Sequence, residues 1–178
     1  VEALSALPPA FEDPAWQARF PELRWSVHAG NASPLSDGAA ALLVMARERA
    51  EADGIPVLAT VRSSVAVGYD PIVNLAGVVP ATRKVLAKAG MTIQDVDVFE
   101  VNEAFASVVL AWLQDLGVDE ARVNVRGGAI ANGHPLGASG AKLTTTLLSV
   151  MRARDASVGL QVMCEGGGMA NATLFERF

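Results

Sequence analysis

Gly127-Gly128-Ala129-Ile130-Ala131-Asn132-Gly133-His134-Pro135-Leu136-Gly137-Ala138-Ser139-Gly140 is the stretch on which the reading of this chain turns, and Cys164-Glu165-Gly166-Gly167-Gly168 follows it further along. Glycine is used this densely where backbone must approach a ligand or take a positive φ. The first run holds one of the two histidines, and the second opens on the only cysteine. A histidine and a cysteine, each set among glycines, point to a proton-transfer site whose backbone N–H groups can also bind an oxyanion.

Working outward, the flanking pattern alternates strands with helices. A strand over about Val57–Val67 leads through Gly68 and Pro71 to a helix from Pro80 to Ala89, with Pro in its first turn and Gly90 past its end. Asp97–Val101 is a strand, Glu103–Leu116 a helix ended by Gly117, and Val123–Val125 a short strand. The glycine stretch feeds a helix over about Ala138–Arg154. Val158–Cys164 and Met169–Phe178 are strands joined by the triple glycine. The order β-α-β-α-β-α-β-β predicts an α/β domain with a mostly parallel sheet and an antiparallel terminal pair. Upstream, residues 1–22 are proline-punctuated and predict irregular structure. Leu23–His28 predicts a short strand, and Gly38–Ala52 a helix with Asp37 as its cap.

That order places three polar residues alike. Asn102 follows the second strand, His134 lies in the connection after the third, and Cys164 ends the fourth. Open α/β sheets place ligands at the carboxyl ends of their strands.

Composition narrows the classes. The chain has 178 residues, 51% of them hydrophobic and 19% charged, enough for one globular domain or one domain and part of another. A net charge of −5 gives no electrostatic reason for nucleic-acid binding. No apolar run approaches membrane-spanning length. A single cysteine excludes an internal disulfide framework and points to a reducing compartment, with the cytoplasm as the expectation. The chain opens on Val1 with no signal-like segment. The absent Met raises the expectation of a processed product, a trimmed chain or a fragment.

Each candidate has a plainer reading beside the chemical one. Cys164 is either a small core residue or a reactive thiol. His134, between Gly133 and Pro135, is either a loop histidine tied to carbonyls or a base. Asn102 is either a helix N-cap or an amide that holds a water or polarises a carbonyl. His28 has far less context and reads as structural. His134 and Cys164 lack the number and spacing of zinc ligands. Gly137-Ala138-Ser139-Gly140-Ala141 is only loosely like a nucleophile elbow, and no Walker-type lysine follows a glycine loop.

Four blocks together resemble the thiolase family, the acetyl-CoA C-acetyltransferases and 3-ketoacyl-CoA thiolases. They are Ala29–Ser33 with Asp37–Ala40, Asn102-Glu103-Ala104-Phe105, the Gly127–Gly140 stretch, and Cys164-x-Gly-Gly-Gly. The resemblance implies a mixed sheet with helices on its faces, in a fold of two similar βαβαβαββ halves. Residues 1–54 would be the end of a loop region with the last strand and helix of the first half, and 55–178 the C-terminal half. The family's nucleophilic cysteine would lie outside this chain.

The resemblance also implies roles. His134 would deprotonate that missing cysteine and join Asn102, through a water, in binding the thioester oxygen of an enolate. Cys164 would move the α-proton as general acid and base, and the Gly166 N–H would help bind the acyl-step oxyanion. Ala32 and Ser33 would contact the pantetheine of coenzyme A, with Ala104 and Phe105 lining its tunnel. No permanent cofactor is implied, only CoA as co-substrate, and the assembly would be a dimer or tetramer of an acyltransferase of fatty acid metabolism. Pro34, Glu165, Ala170 and Asn171 depart from the family pattern and bear on acyl-chain specificity. The competing expectation is a truncated, non-catalytic subunit that binds CoA or a partner protein.

Overall fold

The computed structural model describes residues 2–177, so Val1 and Phe178, the outer limits of the expected ranges, lie outside the described residues. The described elements are α1 (Glu2–Ser5), α2 (Pro14–Arg19), α3 (Arg47–Ala52), β1 (Thr60–Gly68), α4 (Val78–Ala89), β2 (Val98–Val101), α5 (Ala106–Leu116), α6 (Ala129–Asn132), α7 (Ser139–Ala153), β3 (Val158–Glu165) and β4 (Met169–Glu176). Short 3-10 turns link several of them. Among the described residues, none of the helices is long and apolar enough to cross a membrane.

The strands form one mixed sheet in the order β1-β4-β3-β2. β2 and β3 are parallel, while β4 is antiparallel to both β3 and β1. The expected antiparallel terminal pair is present, but the sheet is not mostly parallel. The glycine turn joins β3 to β4 as a hairpin, which enforces antiparallel pairing, and β1 adds to the free edge of β4 in the same sense. Only the long crossover from β2 to β3 delivers a parallel pair.

Helices cover both faces. On one, α4 and α5 pack Val85, Leu86, Val108 and Trp112 against Val101, Leu160, Val162 and Leu174. On the other, α7 packs Leu147, Val150 and Met151 against Val98 and Phe175. Trp112 ties the first layer together. It is fully buried, meets Phe99 of β2 edge-on at 5.3 Å, and donates from Nε1 to Thr82 Oγ1 of α4 at 2.9 Å. Tryptophan suits such a place because its ring fills the gap while its N–H finds a partner.

Four expectations fail for local reasons. The Val123–Val125 strand shrinks to one parallel bridge, Phe99 to Val123. Asn124 turns left-handed at φ 46°, and its side-chain amide takes the place of a strand, accepting from Val101 N and donating to Val101 O, each at 2.8 Å. The Gly38–Ala52 helix is reduced to Arg47–Ala52. Leu43 and Val44, apolar residues of the missing part, are 72% and 77% exposed, so that part has no surface here against which to bury a helical face. Leu23–His28 is not a strand, and Val27 O instead accepts from Ala10 N at 2.7 Å in the N-terminal loop. Within residues 1–22, α2 forms because Asp13 caps Ala15 N and Trp16 N, with Pro14 opening the helix.

Trp112→Ala is expected to cost about 3–5 kcal/mol, the range for truncating a buried aromatic. Denaturant unfolding checks it, and a loss below about 1 kcal/mol would show that Trp112 does not join the layers.

Candidate active site

The site assembles where β2 and β3 end. The parallel ladder runs on past β2, with Asn102 N donating to Val162 O at 2.9 Å, so Asn102 and Cys164 leave adjacent strands side by side. Glu103 then holds the glycine stretch against this edge. Its carboxylate accepts from Asn124 Nδ2 at 2.9 Å and from Ile130 N at 3.0 Å. Gly128 is required at that contact, because a Cβ there would sit 1.9 Å from the Glu103 carboxyl carbon. Gly133 has φ 84°, which turns the chain just before His134.

His134 is held from three sides. Its backbone N donates to Pro34 O at 3.2 Å. Its Nδ1 lies 2.6 Å from Ser139 Oγ, and that hydroxyl donates to Pro135 O at 3.0 Å. With the hydroxyl hydrogen so placed, Nδ1 must be the donor to Ser139, which leaves the lone pair on Nε2. That lone pair faces Asn102 Nδ2 at 3.5 Å, and the same amide nitrogen lies 3.9 Å from Cys164 Sγ. Asn102, His134 and Cys164 are thus brought together. Asn102 is 1% and Cys164 7% exposed, while His134 is half-buried.

Electrostatics follow the burial. Burial first, then the nearby Lys142 ammonium, holds the His134 imidazole below its ordinary range, so it is neutral and available as a base. Lys142 is anchored on Asn132 O and Gly133 O, at 3.1 and 2.7 Å. The Cys164 thiol is pushed up chiefly by burial. The Asn102 hydrogen bond opposes this, and the Glu165 charge adds a small upward push. At neutral pH Cys164 is a protonated acid beside a neutral base.

The other expected residues gather in a second cluster. Ala32 bridges Phe105 in antiparallel sense, Ser33 N donates to Ala104 O at 3.0 Å, and Ala106 N donates to Asn31 O at 2.8 Å. Leu35 bridges His134, so one extended segment joins the Ala32/Ser33 and Ala104/Phe105 pairs to the histidine. An open groove lined by Leu35, Ser36, Asp37 and Leu136 reaches His134 from outside. Gly166 is exposed in the hairpin turn after Glu165. His28 sits in a local turn, where its Nδ1 accepts from Gly30 N at 3.1 Å, in keeping with a structural role.

The family model for the thiolase C-terminal domain matches residues 55–177. The chain belongs to the thiolase family. It is 50% identical to the 3-ketoacyl-CoA thiolases of Enterobacter sp. (strain 638) and Salmonella typhimurium (strain LT2), each alignment covering 99% of this chain and 44% of the relative. The Bacillus anthracis acetyl-CoA acetyltransferase superposes with a TM-score of 0.90 at 37% identity, over 99% of this chain and 42% of that one. Human mitochondrial 3-ketoacyl-CoA thiolase in complex with CoA gives 0.86 at 35% identity, with the same coverages. This thiolase chain therefore spans less than half the length of the relatives it matches.

Sequence reasoning missed the supporting residues. Ser139 fixes the tautomer of His134, Glu103 clamps the glycine stretch, and Lys142 adds to the effect of burial in keeping His134 neutral. Ser139 was legible only as a serine opening a helix five residues after the histidine. Glu103 stands beside Asn102, where it reads as an ordinary first-turn acid.

Two departures from the family pattern turn out to be partners. Glu165 Oε1 accepts from Asn171 Nδ2 at 2.5 Å across the β3–β4 hairpin. That bond holds the carboxylate on the face of the hairpin opposite the thiol, in keeping with its small effect on Cys164. Glu165→Gln is expected to move the pH profile of Cys164 alkylation down by a few tenths of a unit, about the size of one partly screened charge. An unmoved profile would show that Glu165 does not act on the thiol.

Proposed function

We propose that this chain supplies the proton-transfer side of a thiolase active site, acting on 3-ketoacyl-CoA thioesters together with a nucleophilic cysteine outside the chain. One observation carries the reading: a single buried amide, Asn102 Nδ2, lies 3.5 Å from the free Nε2 of His134 and 3.9 Å from the Cys164 thiol. A non-catalytic CoA-binding subunit would have no use for a base whose lone pair is fixed by Ser139 and aimed beside an acid.

The division of labour follows from the chemistry. His134 Nε2 takes the proton of the external thiol, and the resulting thiolate attacks the 3-keto carbon. The bond between the α- and β-carbons breaks and its electron pair leaves as the enolate of an acetyl thioester. The new Nε2–H of His134 and a water held by Asn102 stabilise the enolate oxygen, as fixed donors do for developing charge. The Cys164 thiol protonates the α-carbon. The Cys164 thiolate then accepts the proton of CoA, whose sulfur takes the acyl group, with the Gly166 N–H helping to hold the oxyanion. The Ala32/Ser33 and Ala104/Phe105 pairs bind the pantetheine arm. Residues 1–54 belong with the preceding half and 55–178 form the C-terminal half, in a homo-oligomeric cytoplasmic enzyme of fatty acid metabolism.

Two variants in the full-length protein test this. Cys164→Ser is nearly isosteric but far less acidic, so it should still accept an acyl group while losing about 10²-fold or more in carbon–carbon cleavage and condensation. His134→Ala should slow single-turnover acylation as well as the later steps. Wild-type condensation by the serine variant would remove Cys164 from the mechanism, and wild-type acylation by the alanine variant would remove His134 as base.

A further inference from the structure

Glu100, two residues before Asn102 in the chain, has no hydrogen-bond partner among the described residues. It is 1% exposed on β2, and both carboxyl oxygens are unsatisfied. Two residues on, Asn102 is equally buried, and its Oδ1 is also without a partner while its Nδ2 serves His134 and Cys164. The ladder runs one residue past β2 through Asn102 N, and alternation along it sends the two side chains the same way. Val98 marks that face by packing with Leu147, Val150 and Met151. His134, tethered to Ser139 at the start of α7, lies at its end.

The rest of this polar layer is satisfied internally. Gln161, paired with Glu100 in the ladder, accepts from Thr144 Oγ1 at 2.5 Å and donates to Gly140 O at 3.3 Å. An amide oxygen requires a donor, and a carboxylate has none to give, whereas a carboxylic acid has one. The charges acting on Glu100 are Glu103, just past β2, and Lys142 on α7; β3 presents the uncharged Gln161. Burial, reinforced by Glu103 and opposed by Lys142, pushes the Glu100 carboxyl up to about 8, so it carries its hydrogen at neutral pH.

We propose that Glu100 is a positioning residue: as the neutral acid it donates, across one bridging water, to Asn102 Oδ1, and so fixes the amide with its Nδ2 toward His134 and Cys164. A reversed amide would set an acceptor oxygen against the Nε2 lone pair and against the sulfur, repelling both and disfavouring the Cys164 thiolate. The water fits the site because buried waters bridge polar groups that lack other partners.

The inference rests on the proton-transfer reading of Asn102, but its test needs no turnover. Iodoacetamide labelling of Cys164 is followed against pH, by mass spectrometry of its peptide, in full-length Glu100→Gln and Glu100→Met proteins. Both variants remove the ionisable carboxyl at similar size, and only glutamine keeps a donor. The glutamine variant is expected to reach half-maximal labelling about half a pH unit or more below the methionine variant, the scale of one net hydrogen bond. Asn102→Ala in both backgrounds should close the gap. Coincident midpoints with Asn102 in place, or a gap that survives Asn102→Ala, would overturn the proposal. Infrared difference spectra of wild type against Glu100→Gln should show a protonated carboxyl band at pH 7, and its absence would also overturn it. A protein with the gap and the band but no 3-ketoacyl-CoA turnover would overturn the proposed reaction and leave the role of Glu100 standing.

Discussion

The contact between the Glu103 carboxylate and the backbone of the glycine stretch governs where everything else in the site falls. Glu103 follows Asn102 directly, so the residue that ends the strand and the residue that grips the loop are neighbours in the chain. One oxygen binds the Asn124 amide, the other the Ile130 N–H, and Gly128 leaves the room for both. The loop that carries His134 is thereby registered against β2. A flexible glycine segment would otherwise lose its ordering entropy for no gain in geometry.

From that clamp, the site is built by short links between regular elements. Ser139, the first residue of α7, orients the imidazole from one side, and Asn102, at the end of β2, meets it from the other. Cys164 comes in on β3, whose pairing with β2 is the one parallel pairing among the described strands of the sheet. Cys164 is carried by β3, Asn102 directly follows β2, and the loop residue His134 is pinned by Ser139 and Pro34, which suits chemistry that depends on fixed donor and acceptor positions. The same arrangement keeps acid and base from neutralising one another. Burial holds the thiol protonated and the imidazole neutral, so the two groups stand ready in opposite proton states.

The exposed apolar residues around 42–45 carry a related message. Leu43 and Val44 face solvent beside a segment without regular structure, although its composition favours a helix. Helical stability in proteins comes mainly from packing one face against a partner. This chain covers 44% of its relatives' length, and among the described residues no buried surface receives that face.

The sequence by itself determined most of the alternation of elements, the placement of Asn102 and Cys164 at strand ends, and the resemblance that grouped Ala32 and Ser33 with Ala104 and Phe105, whereas the strand expected before His134 shrank to a single bridge. These were legible because hydrophobic periodicity and glycine punctuation are local, and because motif residues keep their identity whatever surrounds them. Only the tertiary structure decided that Asn124 replaces a strand with its side chain, that β4 lies between β1 and β3, and that Glu165 and Asn171 are partners. It alone showed that Ser139 sets the tautomer of His134 and that Glu100 is a buried acid behind Asn102. Each of these depends on which residues meet across elements distant in the chain. Burial and hydrogen-bond pairing are properties of that meeting, and no window of sequence contains them.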